Sequence, residues 1–155
     1  MTKGLVVYYS MYGNTEKVAK ALASGLGDGG VEVNCVEVNF IKVDKVEVDG
    51  LGGYDLLCVG SPTHAWNASK PIKEFLEHLK SVKGLRGKKA CAFDTMMKSR
   101  VAGSAGKKIE SKLKDLGLTI AKPHVSAVVK GREGPLEEGA EETFKQIGVE
   151  LAKTL

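Results

Sequence analysis

Six residues, Ser10-Met11-Tyr12-Gly13-Asn14-Thr15, bring together three hydroxyls, one amide and one glycine without a single charge. They follow the apolar run GLVVYY at 4–9 and precede a stretch with helical periodicity. A loop that ends a strand and opens a helix sits over the unpaired N–H groups of the first helical turn. The helix dipole adds roughly half a positive charge there. Backbone N–H groups, hydroxyls and an amide together form an anion site that needs no lysine. A triphosphate loop would need GxxxxGK followed by Ser or Thr, and a dinucleotide loop would need GxGxxG; only Gly13 is present. The chemistry that fits is therefore a phosphate monoester. The same residues also suit an ordinary capped helix after a strand, and the loop alone leaves both readings open.

The elements around this loop alternate. Residues 4–9 are an unbroken apolar run, as in a strand buried on both faces, and 54–60, YDLLCVG, read as a second fully buried strand. Residues 31–39 alternate apolar and polar, which predicts a strand near a sheet edge. Further strands are expected over 89–93 and 118–129, the last broken by Pro123 and therefore at the border of the sheet. Helices are expected over 14–26, 69–82, 104–116 and 136–153, with stripes such as Val18, Leu22 and Leu26 turned inward. Residues 40–53 read as a short helix or turn. Five strands alternating with helices predict an α/β fold: a doubly wound five-stranded parallel sheet with helices on both faces. Such sheets bind ligands beyond the carboxyl ends of their strands, which singles out residues 10–15, 61–69 and 94–103.

The totals exclude several classes. The 155 residues predict one domain spanning 1–155. No apolar run reaches membrane-span length, and the first strand is too short for a signal-peptide core, so a cytoplasmic protein without a membrane role is expected. The net charge is +4, but Lys and Arg are dispersed without interleaved aromatics, so no nucleic-acid role is expected. Cys35, Cys58 and Cys91 are widely spaced and read as buried, reduced thiols. His78 reads as a surface residue and His124 as structural beside Pro123; with no ligand partners at suitable spacing, no metal is expected.

At the level of motifs the chain resembles the flavodoxins. SMYGNT followed by EKVAKAL is similar to the family's phosphate loop and first helix. Gly60-Ser61-Pro62-Thr63-His64-Ala65 is similar to its second loop, Phe93-Asp94-Thr95 to the start of its third, and GREGPLEEG at 131–139 to its fifth-strand exit. The resemblance covers essentially the whole chain and implies strand order 2-1-3-4-5. It implies non-covalently bound flavin mononucleotide (FMN) and electron transfer between a reductase and an acceptor protein, in a monomer of the short-chain type. By position, Ser10, Met11, Tyr12, Gly13, Asn14 and Thr15 would bind the phosphate. Pro62, Thr63, His64, Ala65 and Trp66 would border one face of the ring. Asp94, Thr95, Met96 and Met97 would border its pyrimidine edge and other face. Trp66, the single tryptophan, either covers a ligand or packs on a helix, and Met96 and Met97 either form a polarisable wall or turn inward. No catalytic acid or base is evident.

The chain departs from the family pattern in three places. The third loop carries no aromatic, so His64 or Trp66 would cover the ring, or a partner would. Lys98 and Arg100 place cations in that loop, which would favour a reduced anion and make the second reduction step less negative. The alternative reading is an FMN-dependent NAD(P)H:quinone-type oxidoreductase with an open ring face; a third is a binding module that has lost the cofactor. Finally, Ala65 stands where many family members carry a glycine that flips its peptide when the flavin is reduced. Alanine at positive φ costs about 1 kcal/mol. A redox titration should accordingly find little one-electron-reduced flavin at its midpoint; a large, stable neutral population would contradict the assignment.

Overall fold

The computed structural model describes residues 2–38, 48–64, 67–98 and 104–155. The continuous apolar runs form the centre of a parallel sheet because both of their faces are covered. β1 (Lys3–Tyr8) is buried from Gly4 onward, and β3 (Leu56–Pro62) and β4 (Lys89–Met97) lie beside it. The remaining elements are α1 (Asn14–Asp28), β2 (Glu32–Glu37), a 3-10 turn (Val48–Gly53), α2 (Lys70–Leu79) and α3 (Ala105–Asp115). They are followed by β5 (Thr119–Ile120), β6 (Val125–Val129) and α4 (Ala140–Ala152). The sheet order is β2-β1-β3-β4-β5, with β6 also paired to β4, and every strand pair is parallel. This is the doubly wound architecture expected from the alternation of elements.

Side chains alternate across the sheet and build two cores. Leu5, Val7, Leu57 and Val59 meet Ile72, Phe75, Ile109 and Leu113 of α2 and α3 on one face. Val6, Tyr8, Cys58 and Phe93 meet Val18, Leu22, Phe144 and Leu151 of α1 and α4 on the other. Phe93 is fully buried and meets the Phe144 ring edge-on, with centroids 5.9 Å apart. Among the described residues no helix is long and apolar enough to cross a membrane.

Several boundaries differ from expectation, each for a local reason. β4 does not end at Phe93. It runs to Met97 because β6 pairs with Phe93–Met97, so Asp94, Thr95, Met96 and Met97 are strand residues rather than loop. Pro62, also assigned to a loop, is the last residue of β3, where it pairs with Thr95. The last strand is broken near Pro123 as expected, but into two pieces that both pair with β4. His124 sits at the break, where its N–H donates to Glu110 Oε1 at 2.9 Å. α4 starts at Ala140 rather than Leu136, because Leu136 forms a bridge with Val129 and Glu137 N–H donates to Val128 O at 2.8 Å. Cys58 and Cys91 are buried, and burial pushes the Cys91 thiol up to about 12. Cys35 is exposed, contrary to expectation, because β2 is the edge strand with only β1 beside it. His78 is exposed on α2 as expected. Residues 40–47 of the ambiguous segment lie outside the described residues.

α1 and α4 touch backbone to backbone. A Cβ at Gly25 would lie 1.9 Å from Lys145 O, and one at Gly148 would lie 2.3 Å from Leu22 O. Neither clash can be relieved by turning a side chain, so the helices would have to separate. Gly27, in the same helix α1, has open space around it. Gly148→Ala should therefore destabilise the protein by about 1–3 kcal/mol in urea titration, despite alanine's better helix propensity. Gly27→Ala should stabilise it by about 0.5–1 kcal/mol in the same assay.

Candidate functional site

The start of α1 is held open. Gly13 adopts φ 90°, which turns the chain sharply into the helix. Ser10 Oγ accepts from the N–H groups of Gly13 at 3.0 Å and Glu16 at 3.2 Å, and Lys17 N–H donates to Gly13 O at 3.1 Å. Among the described residues, nothing accepts from the N–H groups of Met11, Tyr12, Asn14 or Thr15. The helix thus presents several unspent donors, and Ser10 keeps its own O–H proton to give.

Three knots of hydrogen bonds bring the other strand exits to this point. Thr15 Oγ1 and Thr95 Oγ1, both buried, lie 2.8 Å apart and join the first loop to the end of β4. Asp94 Oδ2 accepts from Thr63 Oγ1 at 2.9 Å, Ser104 Oγ at 2.6 Å and Gly106 N–H at 3.2 Å. Thr63 Oγ1 in turn accepts from Ala105 N–H at 3.1 Å, so the exit of β3 is fastened to the start of α3. Ser69 N–H donates to Ser61 Oγ at 2.9 Å, and His64 and Asn67 exchange both backbone hydrogen bonds at 2.8 and 2.9 Å. Residues 61–69 are thereby pinned at both ends.

Between these exits lies a narrow cleft of about 80 Å³ that opens to solvent. Ser10, Met11, Tyr12, Asn14 and Thr15 line it from the first loop, Pro62, Thr63 and His64 from β3, and Thr95, Met96 and Met97 from β4. Met11, Tyr12 and Met97 are 43%, 42% and 50% exposed and form an apolar rim. A slot with apolar surface from Pro62, Met96, Met97 and Val129 and neutral donors along one side suits a flat aromatic group bearing an anionic tail. Gly13 shapes the turn without lining the cleft, and Asp94 lies fully buried beneath it as an anchor. Ala65, Trp66 and Arg100 lie outside the described residues, and Lys98 is exposed just past β4.

Two lining residues, Val129 and Arg132, escaped the sequence reading. GREGPLEEG marked the segment but not the direction of its side chains. Asn14 Nδ2 donates to Glu133 O at 3.1 Å, a partnership across 119 positions that no local pattern reveals. Burial and the nearby Arg132 charge both lower the His64 pKa from its ordinary value. Among the described residues no group of His, Cys, Asp or Glu is placed to hold a metal ion. Asp94→Ala strands two hydroxyls and one N–H around a buried void, and should cost about 3 kcal/mol of stability, read from the urea midpoint.

Comparisons with known proteins agree with this geometry. The family model described as Flavodoxin matches residues 6–147. The chain is 34% identical over 92 residues to NAD(P)H dehydrogenase (quinone) 3 of Rhizobium meliloti (strain 1021), covering 50% of this chain and 43% of that one. It is 31% identical over 150 residues to a putative diflavin flavoprotein A 5 of Nostoc sp., covering 97% of this chain and 25% of that one. The chain thus spans less than half the length of these curated relatives. Among solved structures, a flavodoxin from the domain Archaea superposes with TM-score 0.82 at 25% identity, covering 98% of this chain and 97% of that one. With a family match over residues 6–147 and the strand order and cleft described above, this chain belongs to the flavodoxin family.

Proposed function

We propose that the chain binds FMN without covalent linkage in this cleft and carries electrons between a reductase and an acceptor protein. The observation that carries the reading is the set of N–H groups at Met11, Tyr12, Asn14 and Thr15 that have no acceptor among the described residues, on residues lining a cleft whose other walls mix apolar Pro62, Met96, Met97 and Val129 with polar Thr63, His64, Thr95 and Arg132. These N–H groups, with the Ser10, Tyr12 and Thr15 hydroxyls and the Asn14 amide, would hold the phosphate. Pro62, Thr63 and His64, with Ala65 and Trp66, would border one ring face; Thr95, Met96 and Met97 would border the other. Asp94 would position Thr63 from beneath. FMN, when bound, supplies the one- and two-electron chemistry. The protein's part is to orient the ring, restrict water and fix the charge around it.

The match to a quinone dehydrogenase and the open rim favour a second reading, an FMN-dependent NAD(P)H:quinone-type reductase. Rapid quinone reduction by NADPH and the purified protein would select it; a bound flavin that NADPH reduces only through a separate reductase would select the carrier.

The purified protein should be yellow, bleach with dithionite and recover in air. FMN should bind about a hundredfold more tightly than riboflavin, because the phosphate satisfies several charged hydrogen bonds. Fluorescence quenching measures both affinities. Equal affinities would remove the anion site from the reading, and Ser10→Ala should narrow the gap by weakening FMN alone.

A further inference from the structure

The described residues lining the cleft include three ionisable side chains, Tyr12, His64 and Arg132, and no carboxylate. Arg132 carries the one permanent charge among them. It has no ion-pair partner among the described residues. Arg132 is itself exposed, and the charges nearest it in sequence, Lys130, Glu133, Glu137 and Glu138, are exposed as well.

The segment bearing Arg132 is not a loose tail. Lys130 N–H donates to Pro135 O at 2.9 Å, Gly134 N–H to Gly131 O at 3.1 Å, and Val129 pairs with Leu136 across the neck. Its tip is pressed onto the first loop. The Asn14 amide donates to Glu133 O, and a Cβ at Gly134 would lie 2.8 Å from both polar atoms of that amide. Arg132 therefore lines the cleft from a braced hairpin, close enough to His64 for its charge to act on that imidazole.

We propose that Arg132 is the residue that sets the redox poise of this cleft: its unpaired guanidinium stabilises the reduced flavin as an anion and so raises the potential of the bound group. The inference rests on the FMN reading above. Two electrons from the reductase with one proton leave the reduced ring with one negative charge, while two electrons with two protons leave it neutral. Oxidation by the acceptor removes the two electrons and releases the proton or protons taken up. A permanent cation lining a cleft with no carboxylate among its described residues favours the singly protonated anion through direct Coulomb attraction, which solvent at the exposed guanidinium weakens. The same charge opposes protonation of His64, so the wall beside the ring stays neutral and Arg132 meets no competing cation there.

Three measurements on the full chain test this, using Arg132→Gln and Arg132→Lys. In the flavin-free protein, the His64 ring resonances should titrate at higher pH in Arg132→Gln than in wild type, moving part of the way toward the ordinary value because burial remains. In the FMN-loaded protein, Arg132→Gln should lower the two-electron midpoint potential. It should weaken reduced FMN relative to oxidised FMN by about tenfold. Arg132→Lys should retain most of both effects, and high salt should bring wild type toward Arg132→Gln. A loaded Arg132→Gln protein with an unchanged potential, or an unmoved His64 titration, would overturn the proposal while leaving the FMN reading intact. Equal losses in the Lys and Gln variants would assign the effect to side-chain shape and overturn the charge argument. Wild-type protein that fails to quench FMN would overturn the function and this inference together.

Discussion

Parallel strands can be joined only by crossovers, and each crossover must leave from the carboxyl edge of the sheet. In this protein that constraint places the start of α1 beside the ends of β3, β4 and β6. The first turn of a helix has N–H groups with no internal acceptor. Most helices spend some of them on a capping side chain. Here Ser10 satisfies Gly13 and Glu16, and among the described residues those of Met11, Tyr12, Asn14 and Thr15 have no acceptor. The site is therefore a by-product of topology, sharpened by one serine and one glycine. In the proposed reading a dianion would need no full cation there, since backbone donors are held in place and cost no reorganisation when a ligand arrives.

The cleft is as much held apart as held together. Thr15 and Thr95 clasp its floor, while Asp94 draws Thr63 and the start of α3 below it. A buried carboxylate is costly unless its oxygens are bonded; Asp94 Oδ2 accepts three donors, whereas Oδ1 is buried without a partner among the described residues. Such a knot fixes where β3 ends and where residues 61–69 begin. It makes Asp94 a structural determinant of the cleft from one layer away, although its position at a strand end resembles that of a ligand contact.

What could be read from residues alone followed from physics of short range. Buried runs announced β1 and β3, helical stripes announced α1 and α2, and SMYGNT announced a strand-to-helix loop rich in neutral donors, which the structure places at the cleft. What could not be read depended on distant partners. β4 continues to Met97 only because β6 pairs alongside it, and Leu136 is drawn from α4 by its bridge to Val129. Cys35 has the pattern of a buried strand residue, yet an edge strand covers it on one side only. Arg132 reaches the cleft through a contact between Asn14 and Glu133 that leaves no trace in either local stretch.

The glycine crossing of α1 and α4 binds the two ends of the chain into one object. α1 is braced near its carboxyl end by Gly148 and at its amino end by the hairpin that precedes α4. A substitution that parts the two helices at that crossing therefore tilts the first loop against the exits of β3 and β4, so damage at the far end of α1 reaches the cleft.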